Sequence, residues 1–180
     1  ILNGDSLTSI FYFEDIDDVS INSLTITNGY DWQAGGGIKV YDTTLDLDSV
    51  NVSYNIVGGD YPGGGIYVSS NYSSEINVQN SLISNNSANH GGGVSINEAS
   101  DNIGIFRNTI FSNNTAINQG GGLDAFRATL TVESCFFDSN SASYGGAIYC
   151  GSDTIKINNS LFTNNYASVN HEAIKYYDSN

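Results

Sequence analysis

The sequence predicts an all-β protein wound as a right-handed parallel β-helix of about six coils, and two observations support this fold class. Glycine-rich runs followed by an aliphatic residue recur along the chain, and the aliphatic residues are spaced by 28, 28, 29, 25 and 26 residues. Between these runs, apolar and polar residues alternate over short stretches, which is typical of strands with one buried face. A repeat of this length indicates a solenoid, in which each coil buries its apolar face on its neighbours.

The composition excludes several classes of protein. The 180 residues carry 19 acidic and five basic side chains, and the net charge of −14 repels nucleic-acid phosphates and anionic membrane surfaces. The chain is 39% hydrophobic and 12% aromatic, which is too apolar for a disordered linker. No apolar run approaches the roughly 20 residues of a spanning helix. We therefore expect residues 1–180 to form a single β-helix segment, with no nucleic-acid partner and no membrane insertion.

The glycine-rich runs are predicted to form one corner of every coil, where the backbone adopts positive φ or leaves no room for a side chain. A phosphate-cradling loop is the alternative, but no run is followed by Lys-Ser/Thr or by a helical pattern. The nearly constant spacing favours the structural corner. The glycines assigned to these corners are Gly35, Gly36, Gly63, Gly64, Gly91, Gly92, Gly120, Gly121, Gly145 and Gly146.

Three short strands are predicted in each coil. The first strand follows the glycines with an inward pair such as Ile38 and Val40, and the second carries a later inward pair such as Ile103 and Ile105. The third ends at an apolar residue that an asparagine soon follows. These asparagines are expected to accept left-handed dihedral angles and to stack as a ladder of amides from coil to coil. They are Asn28, Asn55, Asn86, Asn114, Asn140 and Asn165.

Two motifs recur in the later coils. The pattern FxxN occurs at residues 111–114, 137–140 and 162–165, and residues 145–148 read GGAI, whereas the earlier corners read GGG followed by Ile, Val or Leu. With these motifs the chain resembles the polymorphic outer-membrane protein repeat, which is recognised by paired FxxN and GGA(I/L/V) motifs. The resemblance implies an extracellular right-handed β-helix, of a kind that often serves in adhesion. Such a motif specifies the fold well and the function poorly.

Alternation places one residue of each first strand on the outer face of the β-helix. This outer row holds one carboxylate, Asp124, whereas polysaccharide hydrolases need paired carboxylates and lyases need a base beside acidic calcium ligands. The outward residues of the second strands, Gly104 among them, form no cluster either. We therefore predict no catalytic residue, no cofactor and no enzymatic activity. The outer row comprises Lys39, Tyr67, Ser95, Asp124, Tyr149 and Lys175.

Two acidic runs are the candidates for a calcium site. Their offset of nearly 28 residues would bring them close in adjacent coils, and Ca²⁺ takes carboxylate oxygens from flexible loops. Neither run matches an EF-hand loop or the calcium-binding nonapeptide, and a solvated acidic face is the alternative. The residues concerned are Asp15, Asp17, Asp18, Asp42 and Asp46.

The cysteines and histidines give no sign of catalytic or metal chemistry. Cys135 and Cys150 are 15 residues apart, a spacing compatible both with a disulfide between adjacent coils and with two buried free thiols. Neither thiol has a histidine nearby in sequence, so nucleophilic catalysis is not expected. His90 and His171 lie three coils apart, which is too far for shared metal ligation.

Tyrosines and N-glycosylation sequons are two further features that bear on the surface of the protein. Tyrosines at positions 67, 149, 176 and 177 would stack on sugars or dock a protein partner if they are exposed. The N-x-S/T sequons matter only where the host glycosylates secreted proteins, and a chain rich in Asn and Ser generates them by composition. They begin at Asn51, Asn71, Asn85, Asn113 and Asn158.

Together these features predict a noncatalytic extracellular module, structural or adhesive, of a larger cell-surface or secreted protein. Its expected partners are other protein subunits or surface ligands, glycans included. One alternative is a subunit of an extracellular filament or sheath, because neither end shows the polar cap of a terminal repeat and open coil edges template further pairing. We accordingly expect the segment to belong to a longer solenoid. The other alternative is an accessory segment of a polysaccharide lyase or hydrolase.

Overall fold

The computed structural model describes residues 1–97, 102–151 and 154–177, and every regular element within them is a β-strand. Each strand pairs in parallel with its counterparts in adjacent coils, so that four parallel sheets run along a solenoid of about six turns. The predicted all-β parallel solenoid is confirmed. Right-handed winding is the sense that parallel crossovers favour. The described residues contain no helix, and hence none long and apolar enough to cross a membrane.

Each coil passes through the four sheets in a constant order, and the sheets are numbered here in that order, starting after the glycine corner. Sheet 1 contains β2 (Phe11–Glu14), β6 (Ile38–Tyr41), β10 (Ile66–Ser69), β14 (Val94–Ile96), β18 (Leu123–Phe126), β22 (Ile148–Gly151) and β26 (Ile174–Tyr176). Sheet 2 contains β3 (Asp18–Asn22), β7 (Thr44–Asp48), β11 (Glu75–Gln79), β15 (Asn102–Arg107), β19 (Ala128–Glu133) and β23 (Thr154–Asn158).

Sheets 3 and 4 complete each coil. Sheet 3 contains β1 (Leu2–Asn3), β4 (Thr25–Thr27), β8 (Asn51–Ser53), β12 (Leu82–Ser84), β16 (Ile110–Ser112), β20 (Phe136–Asp138) and β24 (Leu161–Thr163). Sheet 4 contains β5 (Tyr30–Asp31), β9 (Ile56–Val57), β13 (Ser87–His90), β17 (Thr115–Gln119), β21 (Ser141–Ala142) and β25 (Tyr166–Ala167).

The coil therefore has four strands rather than the predicted three. The additional strand, in sheet 4, lies between the ladder asparagine and the glycine corner. From the third coil onward its buried residue is a small one, namely Ala88, Ala116, Ala142 or Ala167. Because a single alanine gives no alternation of large apolar residues, the sequence pattern does not mark this strand.

The inward face of β15 is the opposite of the predicted one. Ile76 pairs with Gly104 and Val78 pairs with Phe106, so Ile103 and Ile105 belong to the outer face. Phe106 is fully buried, and a Cβ on Gly104 would lie 3.2 Å from its ring. The same Cβ would lie only 2.5 Å from Cδ1 of Ile96, so the glycine leaves space for both the Ile96 side chain and the phenylalanine ring. A shift of one residue moves every side chain of a strand to the other face.

The core consists of ladders in which like side chains stack from coil to coil. Ile38, Ile66 and Val94 occupy one inward position of sheet 1 and have no exposed surface. In sheet 3 the ring of Phe137 stacks on that of Phe111, with centroids 4.4 Å apart and planes within 2° of parallel. Aromatic pairs of this kind add about 1 kcal/mol beyond the burial of their surface.

At the glycine corners the backbones of adjacent coils touch. The first glycine of the run has positive φ, as at Gly91 (58°). The second leaves no space for a side chain: a Cβ on Gly92 would lie 2.6 Å from the carbonyl oxygen of Gly121 in the next coil. The glycines are therefore required by the close approach of two chains as well as by their dihedral angles.

We expect Gly92→Ala to lower the free energy of unfolding by about 3 kcal/mol, because the added methyl group forces backbone apart where no flexible side chain can give way. The matched control is Ala147→Gly at the GGAI corner, which removes a Cβ and should cost about 1 kcal/mol. Urea denaturation followed by circular dichroism measures both changes. A loss for Gly92→Ala no larger than that of the control would contradict this account of the corner.

The ladder of asparagines runs between sheets 3 and 4 and connects three coils at a time. The side-chain Nδ2 of Asn114 donates to the carbonyl oxygen of Ile83 at 2.9 Å and to Oδ1 of Asn140 at 3.0 Å. Its own Oδ1 accepts hydrogen bonds from the backbone N–H and the Nδ2 of Asn86, both at 3.1 Å. The same pattern repeats along the ladder, whose members are Asn55, Asn86, Asn114, Asn140 and Asn165.

Two details of the ladder differ from the sequence-based expectation. Asn28 is not a member, because Gly29 occupies the equivalent position and donates its N–H to Oδ1 of Asn55 at 2.8 Å. The left-handed dihedral angle belongs to the residue before each ladder asparagine, as in Asn113 (φ 54°). The turn at this preceding residue leaves the ladder amide buried, where it meets the amides of its neighbours.

Both cysteines are buried and neither forms a disulfide, in agreement with the second of the two alternatives that the sequence left open. Cys150 lies at an inward position of sheet 1 beside Ala125. Cys135 lies between sheets 2 and 3, where its Sγ donates to the carbonyl oxygens of Glu133 and Phe106 at 3.3 and 3.4 Å. Burial raises the pKa of the Cys135 thiol, which disfavours the reactive thiolate.

We expect neither thiol to react with Ellman's reagent while the protein is folded, because both are buried and the raised pKa of Cys135 keeps that group protonated at about pH 8. After denaturation in guanidinium without reductant, two thiols per chain should react. Fewer than two after denaturation would indicate a disulfide and would contradict the free-thiol state.

Candidate ligand-binding groove

A groove of about 660 Å³ lies along the outer face of sheet 1. This volume is within the range of sites that bind small ligands. The floor of the groove is formed by the outer row of sheet 1. One rim contains Tyr61, His90 and Gln119, which precede the strands of the sheet, and the other contains Tyr41 and Phe126, which end them. The groove therefore crosses five successive coils.

The floor follows the register of the parallel strands. Tyr12 pairs with Lys39, Lys39 with Tyr67, Tyr67 with Ser95, and Ser95 with Asp124. Four steps at a strand spacing of about 4.8 Å give the row a length of about 19 Å. The structure thus brings the sequence-predicted outer row into one line on one face.

Asp124 is the most unusual residue of the groove. It is only 2% exposed although it belongs to the outer row, and no described residue forms a hydrogen bond with its Oδ1. Its Oδ2 accepts one long hydrogen bond, of 3.4 Å, from the hydroxyl of Ser95. Burial raises the pKa of Asp124 to about 7. Burial and the nearby Asp124 charge also raise the pKa of Tyr149, the next residue of the row.

The opposite end of the groove carries the one lysine among its described lining residues. The Nζ of Lys39 lies 5.4 Å from the ring centroid of Tyr12, which is within the range of a cation–π contact. The pKa of Tyr12 is raised to about 12, chiefly by its side-chain hydrogen bond to Glu14. This end therefore offers an ammonium donor beside an aromatic ring and a carboxylate.

The rim that precedes sheet 1 is held by polar contacts between coils. Nδ1 of His90 lies 3.1 Å from Oε1 of Gln119, and Nδ2 of Asn89 donates to Oδ1 of Asp60 at 3.0 Å. Burial lowers the pKa of His90, so this imidazole is neutral at neutral pH. Tyr61 is 48% exposed and presents an accessible ring beside these groups. These rim residues were not predicted from the sequence, because the strands of sheet 4 and the irregular segment around Tyr61 show no alternation of large apolar residues.

Besides Asp124, the described lining residues of the groove include two carboxyl groups, those of Glu14 and Asp60. Glycoside hydrolysis needs two carboxyl groups about 5 to 10 Å apart across the scissile bond. Among the described lining residues, Glu14 lies four coils from Asp124, about 19 Å along the row. Asp60 lies on the rim and is hydrogen-bonded to Asn89. The described part of the groove thus contains one buried carboxyl group, that of Asp124, with aromatic side chains along its length.

Two segments of the chain match a known protein-family repeat. A profile of the Chlamydia polymorphic membrane protein repeat matches residues 108–125 and 134–151. The matched segments comprise 36 of the 180 residues. The resemblance predicted from the FxxN and GGA motifs is thereby confirmed for these two segments. Comparisons with curated proteins and with solved structures give no significant match.

The polymorphic membrane protein repeat coincides with the structural contacts that hold the coils together. Each matched segment contains one phenylalanine of the aromatic stack and one asparagine of the ladder, Phe111 with Asn114 and Phe137 with Asn140. Each also ends with a glycine corner and the first strand after it. The motif residues of the repeat therefore take part in the stacking between coils.

The acidic residues proposed as calcium ligands are only partly brought together. Asp15 and Asp42 occupy equivalent positions in adjacent coils, but Oδ1 of Asp42 accepts hydrogen bonds from the backbone N–H groups of Asn71 and Tyr72. Asp46 pairs with Ser20 and not with the first acidic run, whose Asp17 and Asp18 remain apart from it. The described residues contain no group of three or more His, Cys, Asp or Glu side chains that could hold a metal. Calcium binding stays a prediction.

The sequon asparagines and the tyrosines predicted at the surface differ in their exposure. Among the sequons, Asn71, Asn113 and Asn158 are exposed, whereas Asn51 and Asn85 are partly buried. The tyrosines are not all exposed: Tyr67 is 6% exposed because the groove rims flank it, and Tyr176 is 48% exposed although it lies at an inward position of the last strand. Glycosylation stays a prediction.

A second exposed face lies on sheet 3. Leu82, Ile110, Phe136 and Leu161 pair in register along its outer row, and Ile110 and Leu161 are 43% and 58% exposed. Aligned apolar side chains of this kind on a surface are typical of contact surfaces. The β-helix therefore presents one polar-aromatic groove and one apolar stripe on different sides.

Proposed function

We propose that this chain is a noncatalytic adhesive segment displayed at the cell surface, which binds extracellular ligands through the groove on sheet 1. The polymorphic membrane protein repeat and the parallel β-helix support surface exposure. The observation that carries the proposal is the groove itself, in which one buried carboxyl group, an ammonium group and several aromatic rings lie along five coils. Its expected partners are surface ligands of other cells or of an extracellular matrix.

The solenoid suits such a role because its backbone holds the groove residues at fixed spacing. Main-chain hydrogen bonds join the strands that carry the floor residues to the next coil; for example, the N–H of Ile66 donates to the carbonyl oxygen of Gly93, and the N–H of Val94 donates to that of Gly122. The asparagine ladder and the phenylalanine stack add side-chain contacts along the same axis. A surface that is ordered before binding loses less conformational entropy when the ligand docks.

A bead assay tests the adhesive function. Beads coated with the purified chain should adhere to epithelial cell monolayers or to matrix proteins more strongly than albumin-coated beads, and Tyr61→Ala should reduce this adhesion. Tyr72→Ala is the matched control, since Tyr72 is 82% exposed and does not line the groove. Adhesion no better than that of albumin on every surface would refute the proposal.

The enzyme alternative has a direct test. The purified chain, incubated with neutral and acidic polysaccharides, should release neither reducing ends nor unsaturated products. Release that is lost in Asp124→Asn would overturn the noncatalytic assignment and favour a polysaccharide-active segment.

A further inference from the structure

We infer that the groove on sheet 1 binds an uncharged oligosaccharide, one hydroxyl of which donates a hydrogen bond to Oδ1 of Asp124. The inference rests on the proposed function and adds the chemical class of the ligand and the residue that recognises it. It follows from three properties of the groove, namely its unpartnered acceptor, its aromatic side chains and its balance of charges.

Asp124 requires a donor that the described residues do not supply. Its Oδ1 is buried without a hydrogen-bond partner in the described part of the chain, and a buried acceptor of this kind is costly unless another group satisfies it. The hydroxyl of Ser95 reaches only Oδ2, at 3.4 Å. Because Asp124 lines the groove, a ligand bound there is a candidate for the donor that the described residues leave out.

The aromatic side chains supply the apolar half of the recognition. Tyr12, Tyr41, Tyr61, Tyr67 and Phe126 all line the groove. Tyrosine combines a flat apolar surface with a polar tip, which suits ligands that have both C–H faces and hydroxyl groups. Sugar rings have this composition, and a row of about 19 Å accommodates several of them in succession.

The charges of the groove favour a ligand without net charge. The lining includes the carboxyl groups of Glu14, Asp60 and Asp124, against Lys39 and a His90 whose pKa burial lowers. An acidic saccharide would meet three carboxyl groups and could not donate to Asp124 through its carboxylates. A cationic peptide side chain donates to Asp124 but offers no acceptor to the Lys39 ammonium group. A hydroxyl group both donates and accepts hydrogen bonds. One hydroxyl of an oligosaccharide can therefore donate to Asp124 while another accepts from the ammonium group of Lys39.

The test begins with an array of uncharged, acidic and basic glycans, followed by titration calorimetry with the best uncharged oligosaccharide. At about pH 8, where the parent Asp124 is ionised, we expect Asp124→Asn to weaken its binding about tenfold, because the ligand hydroxyl then donates to an uncharged amide oxygen instead of a carboxylate. Tyr61→Ala should weaken binding several-fold, and Tyr72→Ala should leave it unchanged. We expect Asp124→Asn to remain folded, because it replaces a carboxyl group whose ionised form is costly to bury with an uncharged amide. Circular dichroism checks that the variant is folded.

Three outcomes would overturn the inference: no binding of any uncharged oligosaccharide, stronger binding of acidic glycans or of a lysine-rich peptide, or unchanged affinity in both groove variants. The bead assay separates this result from the proposed function. Beads that adhere normally while the array stays negative would refute the saccharide but leave the adhesive segment standing. Beads that fail on every surface, with saccharide binding intact in solution, would refute adhesion alone.

Discussion

Asn114→Leu is expected to lower the free energy of unfolding by about 4 kcal/mol. The leucine has a similar volume but removes the acceptor for two donors of Asn86, its backbone N–H and its Nδ2, and the donor to the carbonyl oxygen of Ile83. Asn114 is fully buried, and each buried polar group left without a partner costs about 1 to 3 kcal/mol. Urea denaturation followed by circular dichroism measures the change.

The neighbouring residue provides the matched control. Asn113 is exposed and has a left-handed φ of 54°, which glycine adopts without strain. Asn113→Gly should therefore change the stability by less than about 0.5 kcal/mol. If Asn114→Leu were as mild as this control, the ladder would not contribute to the stacking of coils in the way proposed.

Asp124→Asn is expected to raise the free energy of unfolding at about pH 8 by up to about 4 kcal/mol, an unusual gain for a single substitution. The pKa of Asp124 rises from 3.8 to about 7 in the folded protein, chiefly by burial. The difference of roughly three units corresponds to about 4 kcal/mol at 1.36 kcal/mol per unit. The asparagine side chain is uncharged, so its burial avoids the cost of removing an ionised carboxylate from water.

The stability gained by Asp124→Asn is expected to increase with pH. Because the folded state holds the proton more tightly than the unfolded state, the benefit of protonated Asp124 is complete below about pH 4 and is lost as the pH rises towards 7. The difference in stability between Asp124→Asn and the parent chain should therefore grow from near zero at about pH 4 to its maximum above about pH 7. A difference independent of pH would contradict the buried, protonated carboxyl group.

Asp138→Asn is the control of opposite sign. Hydrogen bonds from Thr163 and Asn164 lower the pKa of Asp138, so its ionised form stabilises the folded state. The stability that Asp138 contributes is present above the unfolded-state pKa and is lost as the pH falls through the folded-state pKa. Its replacement should therefore destabilise the protein at neutral pH and become neutral in strong acid.

Part of the groove was predictable from the sequence. Alternation after the glycine runs places Lys39, Ser95 and Asp124 on the outside, and the parallel register aligns them. The burial of Asp124 was not predictable, because an outward residue becomes buried only when neighbouring coils and rims flank it. The contributions of Tyr61 and His90 come from segments without a regular period, whose path depends on the coils next to them.

The sequence by itself determined the solenoid, its period, its glycine corners and the asparagines that line another corner, because each coil repeats the same pattern and must bury its apolar face on the next. Only the tertiary structure decided which face of β15 is buried, since Ile103 with Ile105 and Gly104 with Phe106 are equally spaced by two. It also decided the fourth strand of the coil and the enclosed position of Asp124. These features depend on the space left between neighbouring coils, and periodicity along one chain contains no measure of that space.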